Sequence, residues 1–147
     1  MMTEQYKAML KKGLEYQDFV IDKLIDSLGI VISNYSSKKY QYSIGENKQG
    51  IEIKFDDRYK ETGNLYIEVA EKTNAKNENY IDSGIYRDDN SWLYVIGNYQ
   101  KIFIFGKNIL KLQYEKGNYK KVQTPTSKGF LLNAKGQRTA LKIVEMK

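Results

Sequence analysis

Apolar residues recur at helical spacing at the start of the chain. From Thr3 to Ser27 they fall near a period of about 3.6 residues, while aspartates mark another face. Gly29 follows this segment, and Gly13 interrupts it. The pattern predicts an N-terminal helix, either as one helix with a weak point or as two.

The strongest strand signals lie in the middle of the chain. Ile51–Phe55 places its apolar residues on one face and Glu52 with Lys54 on the other. Asn64–Ala70 alternates in the same way after a charged loop. Further strands are predicted in five segments, of which the third and fourth are spaced as a hairpin. These segments are Ile30–Ser33, Lys39–Ile44, Trp92–Gly97, Lys101–Phe105 and Phe130–Leu132.

Two further helices are predicted towards the C-terminus. Lys107–Lys116 is followed by Gly117, a common helix terminator, and Arg138–Glu145 is predicted to form a closing helix. The polar stretch Thr73–Asp82 is predicted to be an exposed loop. This order of helices and strands indicates an α/β or α+β fold. With 41% apolar residues among 147, the chain can supply one core, so residues 1–147 are expected to form a single domain.

The composition limits the chemistry that this chain can perform. It contains no cysteine and no histidine, which excludes disulfides and thiolate zinc sites and leaves carboxylates, lysines, hydroxyls and amides. We expect a cytoplasmic protein without a membrane partner, because no signal-peptide core or bilayer-spanning segment is present. The net charge of +6 favours a polyanionic partner, although lysines that only maintain solubility explain it equally well.

Glu46, Glu52 and Lys54 have the residue types of a metal-assisted hydrolysis site. Glu52 and Lys54 share one strand face, and Glu46 lies in the turn before that strand, so their charged groups can converge. Mg²⁺ prefers oxygen ligands, often one or two carboxylates completed by water and a substrate phosphate. Lysine can orient a water or stabilise developing charge. The alternative for Glu52 and Lys54 is a solvated pair on the sheet surface.

The run from Gly45 to Lys54 resembles the signature of the PD-(D/E)XK nuclease superfamily, in which an acidic residue precedes a strand that carries Glu-x-Lys. Glu46 matches the first acid, and Glu52 begins the Glu-x-Lys element. The continuation to Glu68 is similar to phage and mobile-element endonuclease-like proteins of this group. The resemblance implies a restriction-endonuclease-like core, a central mixed β-sheet flanked by helices, that hydrolyses phosphodiester bonds in DNA with Mg²⁺ or Mn²⁺.

The resemblance also implies roles for single residues. Glu46 and Glu52 would hold the metal, with the Ile53 carbonyl as a further ligand. Lys54 would position the attacking water. Glu15 matches an additional glutamate that members often carry on the first helix, where it would bind a second metal or an outer water.

Two more acids and four basic residues are weaker candidates. Asp56 continues the face of Glu52 and either joins the site or is a turn residue at the end of the strand. Glu68 would be a supplementary ligand. The basic residues could contact phosphates in a nucleic acid, or they could belong to an ordinary charged surface. They are Arg87, Lys120, Lys121 and Lys128.

The sequence leaves three functions open. The first is a DNA endonuclease, for which a two-fold homodimer would supply one site for each strand of a duplex. The second is a nucleic-acid-binding module of the same fold without turnover. The third is an interaction domain, such as a mobile-element accessory protein, whose acidic cluster is only part of its surface.

Overall fold

The computed structural model describes residues 3–28, 49–117 and 119–147. The predicted strands Ile30–Ser33 and Lys39–Ile44 lie outside the described residues, as does Glu46. None of the helices in the described part of the chain is long and apolar enough to cross a bilayer.

The described residues form an α+β fold with a long N-terminal helix and two four-stranded sheets. In chain order the elements are α1 (Glu4–Leu28), β1 (Ile51–Phe55), α2 (Tyr59–Thr62), β2 (Leu65–Glu71), β3 (Ile81–Asp82), a 3-10 helix (Gly84–Tyr86), β4 (Leu93–Gly97), β5 (Lys101–Gly106), α3 (Lys107–Lys116), β6 (Lys121–Gln123), β7 (Ser127–Leu132), α4 (Ala134–Gln137) and β8 (Lys142–Glu145).

One sheet is mixed and the other is antiparallel. The mixed sheet has the order β1-β4-β5-β8, with β1 parallel to β4 and the remaining pairs antiparallel. The second sheet has the order β3-β2-β7-β6, and all its pairs are antiparallel. Strands β1 and β8 are therefore the two edge strands among the described strands of the mixed sheet.

The mixed sheet is the central layer, because apolar side chains cover it on both faces. On one face of the sheet, alternate residues such as Val95 of β4 and Ile102 of β5 pack with α1. On the other face, the residues between them, such as Tyr94 and Phe103, pack with β2, β7 and α3. This alternation follows from the period of two along a strand. The order of layers is α1, the mixed sheet and the antiparallel sheet.

This layering determines which side the charged residues of β1 face. Ile51 and Ile53 belong to the apolar cluster under α1. In the β1–β4 ladder, Glu52 is paired with Tyr94 and Lys54 with Ile96, the two β4 residues that face the antiparallel sheet. Glu52 and Lys54 therefore point between the two sheets, at the edge that β1 forms.

The N-terminal helix is continuous through Gly13. Its buried residues begin only at Tyr16 and continue with Val20 and Leu24, one turn apart, against the mixed sheet. A Cβ added at Gly13 would meet no atom within 4 Å. The helix therefore tolerates its glycine because the packing of its C-terminal half stabilises it.

Several predicted elements are confirmed, and one is wrong. The strands Ile51–Phe55 and Asn64–Ala70, the hairpin of β4 and β5, and the helix Lys107–Lys116 are present. The predicted closing helix Arg138–Glu145 is instead a turn after the short helix α4, followed by β8. The β-branched residues of β8 pair with the edge of β5, and this long-range ladder outweighs helical spacing. Strand β6 was missed, and β7 begins three residues before the predicted Phe130.

Gly13 and Gly84 should respond oppositely to replacement by alanine. Gly13→Ala should raise the free energy of unfolding by about 0.5–1 kcal/mol, because alanine restricts the unfolded chain and meets no neighbour. Gly84→Ala should lower it, because φ is +53° and the new Cβ would lie 2.0 Å from the Glu68 carbonyl oxygen. Urea unfolding of both variants measures these changes in the free energy of unfolding. Changes of the same sign in the two variants would contradict the prediction.

Candidate functional site

Lys54 lies at the centre of the candidate site and contacts a buried carboxylate. Its Nζ is 3.6 Å from Glu52 Oε2. The Glu52 side chain is 2% exposed, whereas that of Lys54 is 36% exposed. The alternative of a solvated Glu52–Lys54 pair is therefore wrong for the glutamate. Lys54 therefore extends from the buried Glu52 carboxylate to the protein surface.

The other oxygen of Glu52 faces a second lysine, Lys107, which is also buried. Lys107 Nζ lies 3.8 Å from Glu52 Oε1 and 3.4 Å from Asp89 Oδ1. It donates a hydrogen bond to Ser91 Oγ at 2.7 Å, and Ser91 Oγ in turn donates to Asp89. We call Glu52, Asp89, Ser91 and Lys107 the buried ion cluster. Its single ammonium lies against two carboxylates, and Lys54 and Arg87 contact the same two carboxylates from outside the cluster. Together these cations supply the compensation that burial of ionised groups requires.

Backbone hydrogen bonds bring the members of this cluster together. The amide of Trp92 donates to the Gly50 carbonyl at 2.9 Å, which aligns β4 with β1. The amide of Lys107 donates to the Trp92 carbonyl at 2.9 Å, which places the first residue of α3 beside the start of β4. The sequence analysis missed Asp89, Ser91 and Lys107. The sequence does contain an indication that Lys107 is buried. This lysine directly follows an apolar strand, so its helix begins inside the protein.

A cleft of about 820 Å³ opens beside Lys54, between the N-terminal half of α1, β1 and the end of β2. Lys54 and Glu68 both line it. Glu52 does not, so it reaches the cleft only through its contact with Lys54. Three further carboxylates and two further cations lie on the cleft wall. They are Asp57, Glu71, Asp82, Lys12 and Arg87.

Glu68 is the carboxylate that the fold brings to Lys54. Its Oε1 accepts a hydrogen bond from Ser127 Oγ at 3.0 Å, and Ser127 is also hydrogen-bonded to the Tyr66 hydroxyl. Burial raises the pKa of Glu68 above its usual range, while the positive charge of Lys54 acts in the opposite direction. A partly buried carboxylate with a raised pKa beside a lysine is typical of functional sites.

Asp56 is engaged by backbone amides. Its Oδ1 accepts from the amides of Arg58 and Tyr59, both at 3.1 Å, and its Oδ2 accepts from the amide of Tyr66 at 2.8 Å. Burial raises the pKa of Asp56, and these three hydrogen bonds act against that effect. Of the two roles left open by the sequence, the geometry supports the turn aspartate. Asp56 ties the end of β1 to the start of β2.

The remaining predicted metal ligands are spread out or undescribed. Glu15 is exposed on α1, 3.9 Å from Lys11 Nζ, and is not among the residues that line the cleft. Ile53 pairs with Val95 in the ladder and packs its side chain under α1, and it is also one of the residues that line the cleft beside Lys54. Glu46 lies outside the described residues, so its position relative to Glu52 stays a prediction.

The predicted basic residues do not form one surface with the cleft. Arg87 lines the cleft, and its Nε lies 3.7 Å from Asp89 Oδ2. Lys121 and Lys128 lie on the antiparallel sheet, over the rings of Tyr114 and Tyr80 at 5.0 Å and 4.4 Å. These ring faces already carry a cation, so they are not open for stacking on bases. Lys120 is exposed just before β6.

The carboxylates near Lys54 are the groups available to hold a divalent cation. Within residues 3–28, 49–117 and 119–147, no three acidic side chains lie close enough together to hold a metal ion. Glu52 Oε2 is nevertheless buried without a hydrogen-bond donor, and Glu68 lines the same cleft as Lys54. Two carboxylates suit Mg²⁺, which keeps several of its waters.

The comparisons with known proteins add no relative. No family model, no curated protein and no solved structure matches this chain.

Replacing Lys107 should destabilise the fold strongly. Lys107→Met keeps much of the side-chain volume but leaves Glu52 and Asp89 buried without their shared cation. We expect the free energy of unfolding to fall by about 3–5 kcal/mol. Lys116→Met, at the exposed end of the same helix, is the matched control and should stay within about 0.5 kcal/mol of the original protein. Equal losses in chemical denaturation would contradict the role of the buried ion cluster.

Replacing Glu68 should preserve or increase stability near neutral pH. Because burial raises its pKa in the folded protein, ionised Glu68 opposes folding as the pH rises from its ordinary value through the raised one. Glu68→Gln can still accept the Ser127 hydrogen bond without that charge. The free energy of unfolding should equal or exceed that of the original protein at about pH 7, and the difference should shrink towards about pH 4. A clear loss at neutral pH would contradict this, with exposed Glu61→Gln as the control for one lost charge.

Proposed function

We propose that this protein is a metal-dependent nuclease whose site lies where Lys54 meets the cleft. One observation carries the proposal: the Lys54 ammonium contacts buried Glu52 at 3.6 Å and acts electrostatically on Glu68, which lines the cleft beside it. A lysine between two carboxylates at the edge of a mixed sheet suits hydrolysis of a phosphodiester. In this proposal, α1 and the mixed sheet correspond to a restriction-endonuclease-like core.

Each described side chain then has a separate task. Lys54 directs its ammonium at the cleft, where it orients the attacking water and stabilises the charge that develops on the phosphoryl group. Glu52 keeps this ammonium in place from the buried side. Glu68 is held by Ser127 and lines the cleft. Lys107 maintains the position of Glu52, since it contacts Oε1 and leaves Oε2 to Lys54.

A divalent cation, Mg²⁺ or Mn²⁺, would be held by Glu52 Oε2 and Glu68, together with Glu46 from outside the described residues. Its binding would require the Lys54 ammonium to move away from Oε2 into the cleft. When bound, it would polarise the phosphoryl oxygen and lower the pKa of its water. Two observations support this set: Glu52 Oε2 is buried without a hydrogen-bond donor, and Glu68 lines the cleft together with Lys54. The cation would also compensate the carboxylates on the cleft wall, which would otherwise repel a phosphate.

The substrate in this proposal is a nucleic acid. The net charge of +6 supports a polyanionic partner. Arg87 and Lys12 lie on the cleft wall within one continuous surface with Lys54 and are the cations best placed for its phosphates. Lys121 and Lys128 could guide the more distant backbone.

A second candidate function is a nucleic-acid-binding module without turnover. It is favoured by the fact that lysines contact both oxygens of Glu52, Lys107 at Oε1 and Lys54 at Oε2. If these contacts persist in solution with a divalent cation, the carboxylate has no oxygen left for the metal. Binding that weakens steeply with salt but is never followed by cleavage would favour this function.

The test is cleavage of supercoiled and single-stranded DNA with Mg²⁺ or Mn²⁺. Lys54→Met and Glu68→Gln should each slow cutting by about 100-fold or more, because each removes a group that acts on the reacting phosphate. Glu52→Ala is less informative, since it also removes one of the buried carboxylates that contact Lys107 and so changes the stability of the fold. Exposed Lys142→Ala, purified identically, should cut like the original protein. Cutting that survives in both site variants would overturn the assignment, and a folded protein that never cuts would favour the binding module.

A further inference from the structure

The cleft has one apolar wall that the proposed chemistry does not use. The N-terminal half of α1 places Tyr6, Met9 and Leu14 along the cleft, with Met9 three residues after Tyr6 and Leu14 five residues after Met9. Their exposed fractions are 44%, 65% and 45%. Ile81, which is 57% exposed, continues the apolar surface on the opposite side.

This half of the helix buries no residue in the described protein. The buried positions of α1 begin at Tyr16, and the residues before it are exposed or partly exposed. Exposed apolar side chains that line a concave surface together indicate a ligand that supplies apolar or aromatic area. Isolated exposed residues would carry no such meaning, but these share one cleft with Lys54 and Glu68.

The charges on the cleft wall narrow the kind of ligand. Three cations lie there, Lys12, Lys54 and Arg87, against the four carboxylates of Asp57, Glu68, Glu71 and Asp82. A ligand that bound only through its phosphates would gain little electrostatic attraction from three cations among four carboxylates, unless a divalent cation were also bound. Apolar contacts must therefore contribute to its binding, and a nucleic acid offers them only through unpaired bases.

The size of the cleft leads to the same ligand. About 820 Å³ is within the range of pockets that enclose one drug-sized molecule, which corresponds to one or two nucleotides. A duplex hides the faces of its bases in the stack, so it could offer the α1 wall only its sugar-phosphate backbone.

We infer that the cleft binds a single nucleic-acid strand, with unpaired bases on the apolar wall of Tyr6, Met9 and Leu14 and the adjoining phosphate at Lys54. This deepens the proposed function and rests on it, since it names single-stranded nucleic acid, or a locally opened duplex, as the substrate. The wall and the charged site are adjacent, so base binding would position the phosphodiester for attack.

Fluorescence anisotropy can test the inference separately from cleavage. A short labelled DNA strand, the same strand with abasic sites, and its duplex are titrated with the full chain in Ca²⁺ and in EDTA. The intact strand should bind about tenfold more tightly than the abasic strand or the duplex, because each stacked base contributes. The affinity should be higher in Ca²⁺ than in EDTA.

Matched variants on one helix locate the binding surface. Leu14→Ala and Tyr6→Ala should weaken binding of the intact strand by about tenfold without changing helix stability, because alanine has the highest helix propensity. Ile25→Ala is the control, since Ile25 lies on the same helix with 42% exposure and does not line the cleft. Neither Leu14→Ala nor Tyr6→Ala should change the affinity for the abasic strand.

The outcomes separate this inference from the nuclease proposal. Binding that depends on bases and on Leu14, but with no cutting in Mg²⁺ or Mn²⁺, would support the inference and reject the nuclease. Cutting of duplex and single strand at equal rates, with Leu14→Ala equal to Ile25→Ala, would support the nuclease and overturn the inference. If no form of DNA or RNA binds, the inference is overturned and the apolar wall belongs to a protein partner.

Discussion

Burial of the mixed sheet on both faces is the constraint on which the rest of the structure depends. A β1 strand in an open sheet could point its charged residues into water. Here the second face packs against another sheet, so Glu52 enters the interior and needs a cation. Lys107 provides this cation from the first turn of α3. The same ammonium also contacts Asp89 and donates a hydrogen bond to Ser91. The start of α3 and the entry to β4 are thus tied to the strand of the candidate site.

Three alternate residues of one short segment consequently lie in three environments. Glu52 is buried in an ion cluster, Lys54 reaches the cleft, and Asp56 accepts three backbone amides at the turn into β2. The turn matters for the site because it sets the path of β2, which carries Glu68 to the cleft. Glu68 is held there although burial opposes its charge. A carboxylate whose burial opposes folding is expected at a position that function requires.

The sequence predicted most of the described fold because many elements have strong local patterns. The alternation in Ile51–Phe55 and the terminating glycine after Lys107–Lys116 each encode one element within a few residues. The segment Arg138–Glu145 was predicted wrongly because its structure depends on a distant partner. Its end becomes β8 only because β5 offers an open edge with which it can pair. Similarly, β6 is three residues long and exists through its ladder with β7.

For the candidate site, the sequence by itself determined the residue types available and the shared face of Glu52 and Lys54. Without histidine or cysteine, and with a period of two in β1, this much follows from composition and strand geometry. Only the tertiary structure decided that Glu52 is buried, that Lys107 is its second partner and that Glu68 lies beside Lys54. These are contacts between segments far apart in the chain, and their energies depend on burial. Local periodicity carries information about which face a residue occupies, but not about what covers that face.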